Sequence, residues 1–339
     1  MNNINKQIQI KRYTLNKYKN KTILISGGFG YIGSSLSAAL FDVKCKIKLL
    51  DKNIQDEWIP KKTRAEVTIV KGDVSKKETW QKVLPGIDYL FHLAALEYNR
   101  SAFDIYKDMD INALSVIHLL EVCREKQYKL KIVFSSSANL FGLDSILPVN
   151  ENHCSDPMSL WSVHKLMAEN YLKIYAKKYG IDVVILRLAN VYGPTANSLA
   201  VKNTVINKMI DSALSGMGLT LYANKNCERD YVFIDDVIRA FLFAGISKTN
   251  YGFNIIGSGE GKTITKVWEL IAREIEGNTG KPVKIKFDRT VKLEPFDMRN
   301  FVADTSLFRK STGWRPTILL KEGIKLTTNA LIALRRNNG

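Results

Sequence analysis

Long apolar runs are missing from this chain. No stretch approaches the ~20 consecutive apolar residues that a membrane-spanning helix requires, so no membrane segment is expected. Cysteine is scarce and scattered: Cys45, Cys123, Cys154 and Cys227 form no Cys-x-x-Cys pair and have no histidine at metal-ligand spacing. That argues against a disulfide framework and a metal site, and for free thiols in a reducing compartment. Residues 1–20 lack the apolar stretch and small-residue cleavage site of a secretory signal, and they read as a loosely ordered basic extension of a cytoplasmic protein. Acidic residues are outnumbered, 33 against 50 lysines and arginines, for a net charge of +17. The lysines are scattered without a dense stripe or interleaved aromatics. A field that attracts anionic small molecules therefore accounts for the charge better than nucleic-acid binding does.

At 339 residues the chain has room for one large or two ordinary domains with a sizeable core. Continuous apolar runs at 67–70, 89–93, 132–135 and 183–186 alternate with helix-period segments at 34–41, 112–126 and 159–179. Strands without polar alternation, separated by helices, imply an α/β fold with a doubly wound parallel sheet of the Rossmann kind. The expected division is an extension over 1–20, a dinucleotide-binding domain over 21–194, and a smaller lobe over 195–339 with some segments returning to the first domain. Helices are expected in that lobe near 205–214, 237–244, 264–276 and 320–333.

The chain is organised around Thr22-Ile-Leu-Ile-Ser-Gly-Gly-Phe-Gly-Tyr-Ile-Gly33, an apolar run that breaks into glycines and resumes as helix. Gly27, Gly30 and Gly33 stand three residues apart, and Gly28-x-Gly30-x-x-Gly33 fits the dinucleotide fingerprint. Residues without Cβ let a pyrophosphate approach bare backbone, and the helix N-terminus beyond offers unpaired N–H groups to it. The next apolar run ends in Asp51, at about the ~20-residue distance from which an acid accepts from the adenosine ribose hydroxyls. Such a carboxylate favours NAD over NADP by repelling a 2′-phosphate. Lys52 beside it pulls the other way.

Taken in order, these motifs resemble the extended short-chain dehydrogenase/reductase family, the group of nucleotide-sugar epimerases and dehydratases. The resemblance runs from Thr22 to about Pro316. It is carried by the glycine turn, Asp51, Gly72-Asp73-Val74, His92-Leu93-Ala94-Ala95, Asn112, Phe134-Ser-Ser-Ser137, Lys165-Leu-Met-Ala-Glu169, Arg187-Leu-Ala-Asn-Val-Tyr-Gly-Pro194, Arg229-Asp-Tyr-Val232 and Thr312-Gly-Trp-Arg-Pro316. It implies NAD held by Gly27, Gly30, Tyr31, Ile32, Gly33, Asp51, Lys52, Asp73, Val74, Leu93, Ala94, Ala95, Asn112 and Lys165. It implies reversible hydride transfer at a sugar carbon, C4 foremost, with Ser137 and Lys165 as catalytic residues. Ser137, Asn139, Asn190, Arg229 and Arg299 are the implied contacts to a nucleotide-sugar substrate. A homodimer paired through the helices around 112–126 and 159–179 is implied as well.

The chain departs from the resemblance at one decisive place. Where the family carries Tyr-x-x-x-Lys, it reads Trp161-Ser-Val-His-Lys165. An indole N–H only donates and does not ionise near neutral pH, so Trp161 cannot take a hydroxyl proton as a phenolate does; an apolar wall, with an N–H aimed at substrate, is its expected role. Glu97, Tyr98 and Tyr192 follow strand ends and are candidate bases. His164 lies about 100° around the helix from Lys165 and reads as a surface residue. A second departure is Glu294, where the family often has an arginine for the diphosphate; Arg299 is the expected compensation. Loss of the tyrosine leaves a second reading open, a catalytically impaired NAD-binding protein with a sensing or partner role.

Overall fold

A computed structural model describes residues 14–96, 104–143, 146–248 and 252–337. The apolar runs become β1 (Thr22–Ser26), β2 (Lys46–Asp51), β3 (Glu66–Lys71), β4 (Tyr89–His92), β5 (Lys131–Ser137) and β6 (Asp182–Leu188). After them come the short β7 (Asn190–Tyr192), β8 (Leu219–Leu221), β9 (Glu228–Phe233), β10 (Phe253–Ile256), β11 (Gly261–Thr263) and β12 (Ile285–Phe287). Seven strands form one parallel sheet in the order β10-β6-β5-β4-β1-β2-β3. The order reverses between β1 and β4, and a doubly wound sheet opens a crevice at that point beyond its strand ends.

Neighbouring residues of one strand feed opposite sides of the sheet. Ile23 and Ile25 join one core with Leu36, Val133 and Phe241, whereas Leu24 joins a second with Leu90, Leu119, Ile132 and Leu172. A strand buried on both faces has no use for alternating polarity, which is why the central strands β1, β4, β5 and β6 read as unbroken apolar runs, whereas β2 and the edge strand β3 alternate. The helices that supply the two layers include α1 (Tyr31–Leu40), α2 (Lys77–Val83), α3 (Ile105–Met109), α4 (Ser115–Lys126) and α5 (Leu160–Tyr179). A π-helical turn, Asp110–Leu114, joins α3 to α4. Among the described residues no helix is long and apolar enough to cross a membrane.

The smaller lobe is built from the three-stranded sheet β11-β9-β7, the pair β12-β8, and helices α6 (Val205–Leu214), α7 (Ile234–Ile246), α8 (Ile264–Thr279), α9 (Ser306–Thr312) and α10 (Leu320–Asn337). It takes its first strand, β7, from inside the segment expected to belong wholly to the dinucleotide domain. In return β10 pairs with β6 in the main sheet, and α7 packs on α1.

The loosely ordered extension is corrected over its last residues. Tyr18 is fully buried, packs at 4.9 Å from the Tyr89 ring, and donates its hydroxyl to the Leu242 carbonyl at 2.7 Å; Thr14 is buried too. A large ring with one satisfied polar tip binds residues 14–20 to the core, and nothing in the local sequence pattern signals a partner 224 residues away.

Candidate functional site

The strand-to-helix turn after β1 is tight because two glycines allow it. Gly27 has φ +72°, and a Cβ there would lie 2.8 Å from the Ala94 nitrogen; a Cβ on Gly33 would lie 2.0 Å from the Gly27 carbonyl oxygen. α1 begins without a side-chain cap, so its first-turn N–H groups are left for an anion. In front of it a groove of about 650 Å³ runs over the ends of β1 to β4, lined by Gly27, Gly30, Asp51, Lys52, Asp73, Val74 and the stretch Leu93 to Leu96. This groove fits an extended dinucleotide, since bare backbone forms its middle and acids its end.

Asp51 closes β2 and accepts from the Phe29 and Asn53 N–H groups at 3.2 and 3.1 Å. Burial raises its carboxyl above the ordinary value, and those donors partly offset the rise. Lys52 is paired with Asp73 at 2.8 Å, so its charge is spent on a neighbour and does not counter Asp51. That pair and Ser75 draw the Asp73 carboxyl down to about 2 against the opposing effect of burial. Replacing Asp51 with alanine is expected to weaken NAD about 10- to 100-fold, the worth of a charge-assisted hydrogen bond, and to change NADP little. Calorimetric titration with both cofactors checks this, and an equal loss for the two would contradict it.

Three of the expected cofactor residues, Tyr31, Ile32 and Asn112, turn their side chains away from the groove. Tyr31 turns its hydroxyl to the Gly193 carbonyl at 2.7 Å, and it binds the glycine turn to the smaller lobe. Ile32 packs against the core. Asn112 is buried behind the groove wall, where its amide clamps Leu96 on both sides at 3.2 Å; it shapes the wall without lining it.

Ser137 ends β5 and accepts from the Asn139 N–H at 3.0 Å. On α5, Trp161 donates its indole N–H to the Leu96 carbonyl at 2.8 Å, which corrects the expectation that it points at substrate. One turn on, Lys165 is buried with its Nζ 4.0 Å over the Phe134 ring, and burial brings its amine down to about 7. His164 is no surface residue: it is buried with Nδ1 2.6 Å from the Asp108 carboxylate. α5 is covered on two sides, by the sheet and by the segment 105–114, so a residue off the lysine face still meets protein. Tyr192 is likewise corrected, being buried in the smaller lobe with its hydroxyl 3.3 Å from the Leu320 carbonyl. Glu97 and Tyr98 lie outside the described residues.

Beside the groove, over β5, β6 and β7, a second cavity of about 340 Å³ is lined by Ser137, Asn139, Asn190, Thr204, Tyr231 and Arg299 among others. Asn190 donates to the Asp230 carbonyl at 3.1 Å. Arg299 is buried and held by the Ala138 and Phe141 carbonyls at 2.7 and 2.9 Å and by Asn139 Oδ1 at 2.9 Å. Arg229 donates to the Asp297 and Glu228 carbonyls at 2.6 and 3.2 Å. Neither arginine is ion-paired to a carboxylate among the described residues. Burial lowers both, Arg299 to about 10 with Arg229's charge contributing. Glu294 is exposed and caps a short helical turn.

Two buried groups of this corner escape sequence reasoning. Asp108, on α3, carries no motif that marks it. Glu169 stands inside a quoted motif, yet only the fold shows its carboxylate taking Arg187 through two 2.8 Å bonds and Ser136 at 2.6 Å.

Comparison with known proteins gives concordant results. The profile of the family described as NAD dependent epimerase/dehydratase matches residues 23–257. A putative UDP-glucose 4-epimerase of Methanocaldococcus jannaschii is 31% identical over 312 residues, covering 91% of this chain and 97% of the relative. The crystal structure of a UDP-glucose 4-epimerase from Thermotoga maritima, with UDP-glucose, superposes with a TM-score of 0.81 at 27% identity, covering 93% of this chain and 99% of the other. A UDP-glucuronic acid 4-epimerase from Bacillus cereus, in complex with UDP-glucuronic acid and NAD, gives 0.79 at 27% identity over 92% and 99%.

Proposed function

The chain belongs to the NAD dependent epimerase/dehydratase family, and from that premise we propose that it epimerises a nucleoside-diphosphate sugar at C4. The observation that carries the reading is the juxtaposition of the dinucleotide groove, ending at Leu96, with the Ser137–Arg299 cavity one strand away. Bound NAD supplies a hydride acceptor that returns the hydride after oxidation. The protein's residues do the rest. Gly27, Gly30 and the start of α1 take the pyrophosphate, Asp51 the adenosine ribose, and Ser137 the reacting hydroxyl. Arg299 is a buried cation held by neutral oxygens, with no salt-bridge partner among the described residues, while the charge of Arg229 is felt by the Asp297 carboxylate. A diphosphate supplies that missing charge, and Glu294 is not needed for it.

The test is single-turnover reduction of bound NAD by a panel of UDP-sugars, followed at the absorbance of NADH. The native protein is expected to reduce its cofactor with one of them, and Ser137→Ala to do so about 10²-fold more slowly, as loss of a positioned hydroxyl entails. Trp161→Tyr is expected to be no faster, because the indole is built into the wall through Leu96. A native protein inert to every sugar, beside an active Trp161→Tyr variant, would replace this reading with that of an impaired cofactor binder.

We also propose an isologous dimer through α3 to α5. Ile105, Tyr106, Leu160, Val163 and Ile174 are exposed apolar side chains on α3 and α5. Light scattering at micromolar concentration is expected to give twice the chain mass, and a monomer would exclude it.

A further inference from the structure

One wall of the dinucleotide groove is assembled from separate pieces of chain. Leu96 comes from the segment after β4, Lys107 from α3 and Ile111 from the π-helical turn that follows it. The side chain common to these pieces is Asp108, next to Lys107 in sequence and fully buried. One of its oxygens accepts from the Asn112 amide, the same amide that donates to the Leu96 carbonyl at 3.2 Å. The other faces His164 Nδ1 at 2.6 Å. His164 is buried on α5, three residues after Trp161, whose indole N–H is given to that same Leu96 carbonyl. Asp108 and His164 thus join α3 to α5, and each stands within one helical turn of a residue bonded to Leu96.

We propose that Asp108 and His164 are positioning residues for NAD: as one buried unit they fix the wall made by Leu96, Lys107 and Ile111. The proposal rests on the reading of the groove as the NAD site and is independent of the reaction at C4. An ionised carboxylate only accepts, so both neighbours donate to it, and a carboxylate taken wholly out of water is costly without such donors. The donors stand on different elements. α3 therefore cannot shift against α5 without stranding the charge.

That constraint matters because α3 is weak by itself. It has five residues, too few to hold a helix through its own bonds, and apolar packing is non-directional and would let it slide. Leu96 is gripped twice from this corner, by Asn112 at its N–H and carbonyl and by Trp161 at the carbonyl. Movement of either helix reaches the groove through that backbone. A pair that only held the fold together would act on stability and leave NAD binding untouched, whereas one that positions the wall acts on both.

The experiment is calorimetric titration with NAD of the native protein, Asp108→Ala, His164→Ala, their double variant and Asp108→Asn, with circular dichroism to check each fold. Either alanine variant is expected to weaken NAD about 10- to 100-fold, the worth of a hydrogen bond to a charged group. The double variant should be no weaker than the weaker single one, because groups that act as a unit do not add. Asp108→Asn should recover most of the affinity, since its amide oxygen still accepts from Asn112 and its NH₂ still meets the imidazole. Should Asp108→Ala fail to fold, His164→Ala, which keeps the Asn112 bond to the carboxylate, carries the same expectation. Fluorescence of Trp161, isolated as the difference from Trp161→Phe, reads the wall without cofactor. It should move to longer wavelength in the alanine variants and stay in place in Asp108→Asn. Native NAD affinity in the folded alanine variants, with only the unfolding temperature lowered, would overturn the proposal. Losses that add in full in the double variant would overturn it as well, since each residue would then act by itself. If the native protein binds no NAD, the groove reading fails, while the Trp161 emission still decides whether the pair sets the wall.

Discussion

Gly33→Ala is expected to remove most NAD binding while the chain still folds. The added Cβ would lie 2.0 Å from the Gly27 carbonyl oxygen, 2.9 Å from its carbon and 3.0 Å from the Gly28 Cα. All three are backbone atoms, so no side chain can swing aside. Relief requires α1 to move away from the turn, and with it the N–H groups proposed to take the pyrophosphate. Overpacking of this kind costs about 1–3 kcal/mol, which read on affinity alone is a loss of about 10- to 100-fold. Gly277→Ala is the control: it lies in α8 with nothing within 4 Å of the added carbon, and it should leave NAD binding unchanged. Calorimetry with NAD, beside circular dichroism for the fold, measures both. Native affinity in Gly33→Ala would show that the turn yields freely and that the glycine has another cause.

Glu169→Ala should have the largest effect on stability of any single change at the site. Glu169 and Arg187 are both fully buried, joined by two 2.8 Å bonds, and Ser136 completes the carboxylate. Removing the acid leaves a guanidinium stranded over the Phe253 ring, 3.6 Å from its centre, with the Ser155 hydroxyl as a remaining partner. Breaking a buried pair on one side costs about 3–5 kcal/mol, whereas replacing both partners by apolar residues is often neutral. Thermal unfolding should therefore fall by roughly 5–10 °C in Glu169→Ala, and much of that should return in Glu169→Met with Arg187→Met. A double variant as unstable as the single one would mean that the pair contributes more than charge compensation. Lys165 would register the same change, since Glu169 is the neighbour that most favours its ammonium form. The titration at Lys165 moves to lower pH when Glu169 is lost.

Both expectations concern residues whose type was plain in the sequence and whose partners were not. Gly33 sits at its motif position, and the motif is local: four glycines within seven residues meet one another across a single turn. Glu169 also falls in a recognisable stretch, but its meaning depends on Arg187, in the strand that follows, β6. His164 shows where local geometry misleads. Helix phase correctly separates it from the lysine face, yet phase says nothing of what covers the other side of α5. Asp108 was there, in a stretch that offers no periodic signal.

What the sequence determined by itself is whatever depends on neighbours along the chain. Unbroken apolar runs specify strands buried on both faces, glycine spacing specifies the turn, and Asp51 ends its strand because an acid at that place breaks the apolar pattern. The order of short motifs carried the family as well. What only the tertiary structure decided is how polar groups distant in sequence satisfy one another. Tyr18 finds the Leu242 carbonyl, Lys52 finds Asp73, Trp161 finds the backbone of Leu96, and Arg299 finds Ala138 and Phe141. A buried donor or acceptor must be paired, but the rule names no partner, and backbone carbonyls are the same at every residue. Which one stands within reach is fixed by the packing of strands and helices far apart in the chain.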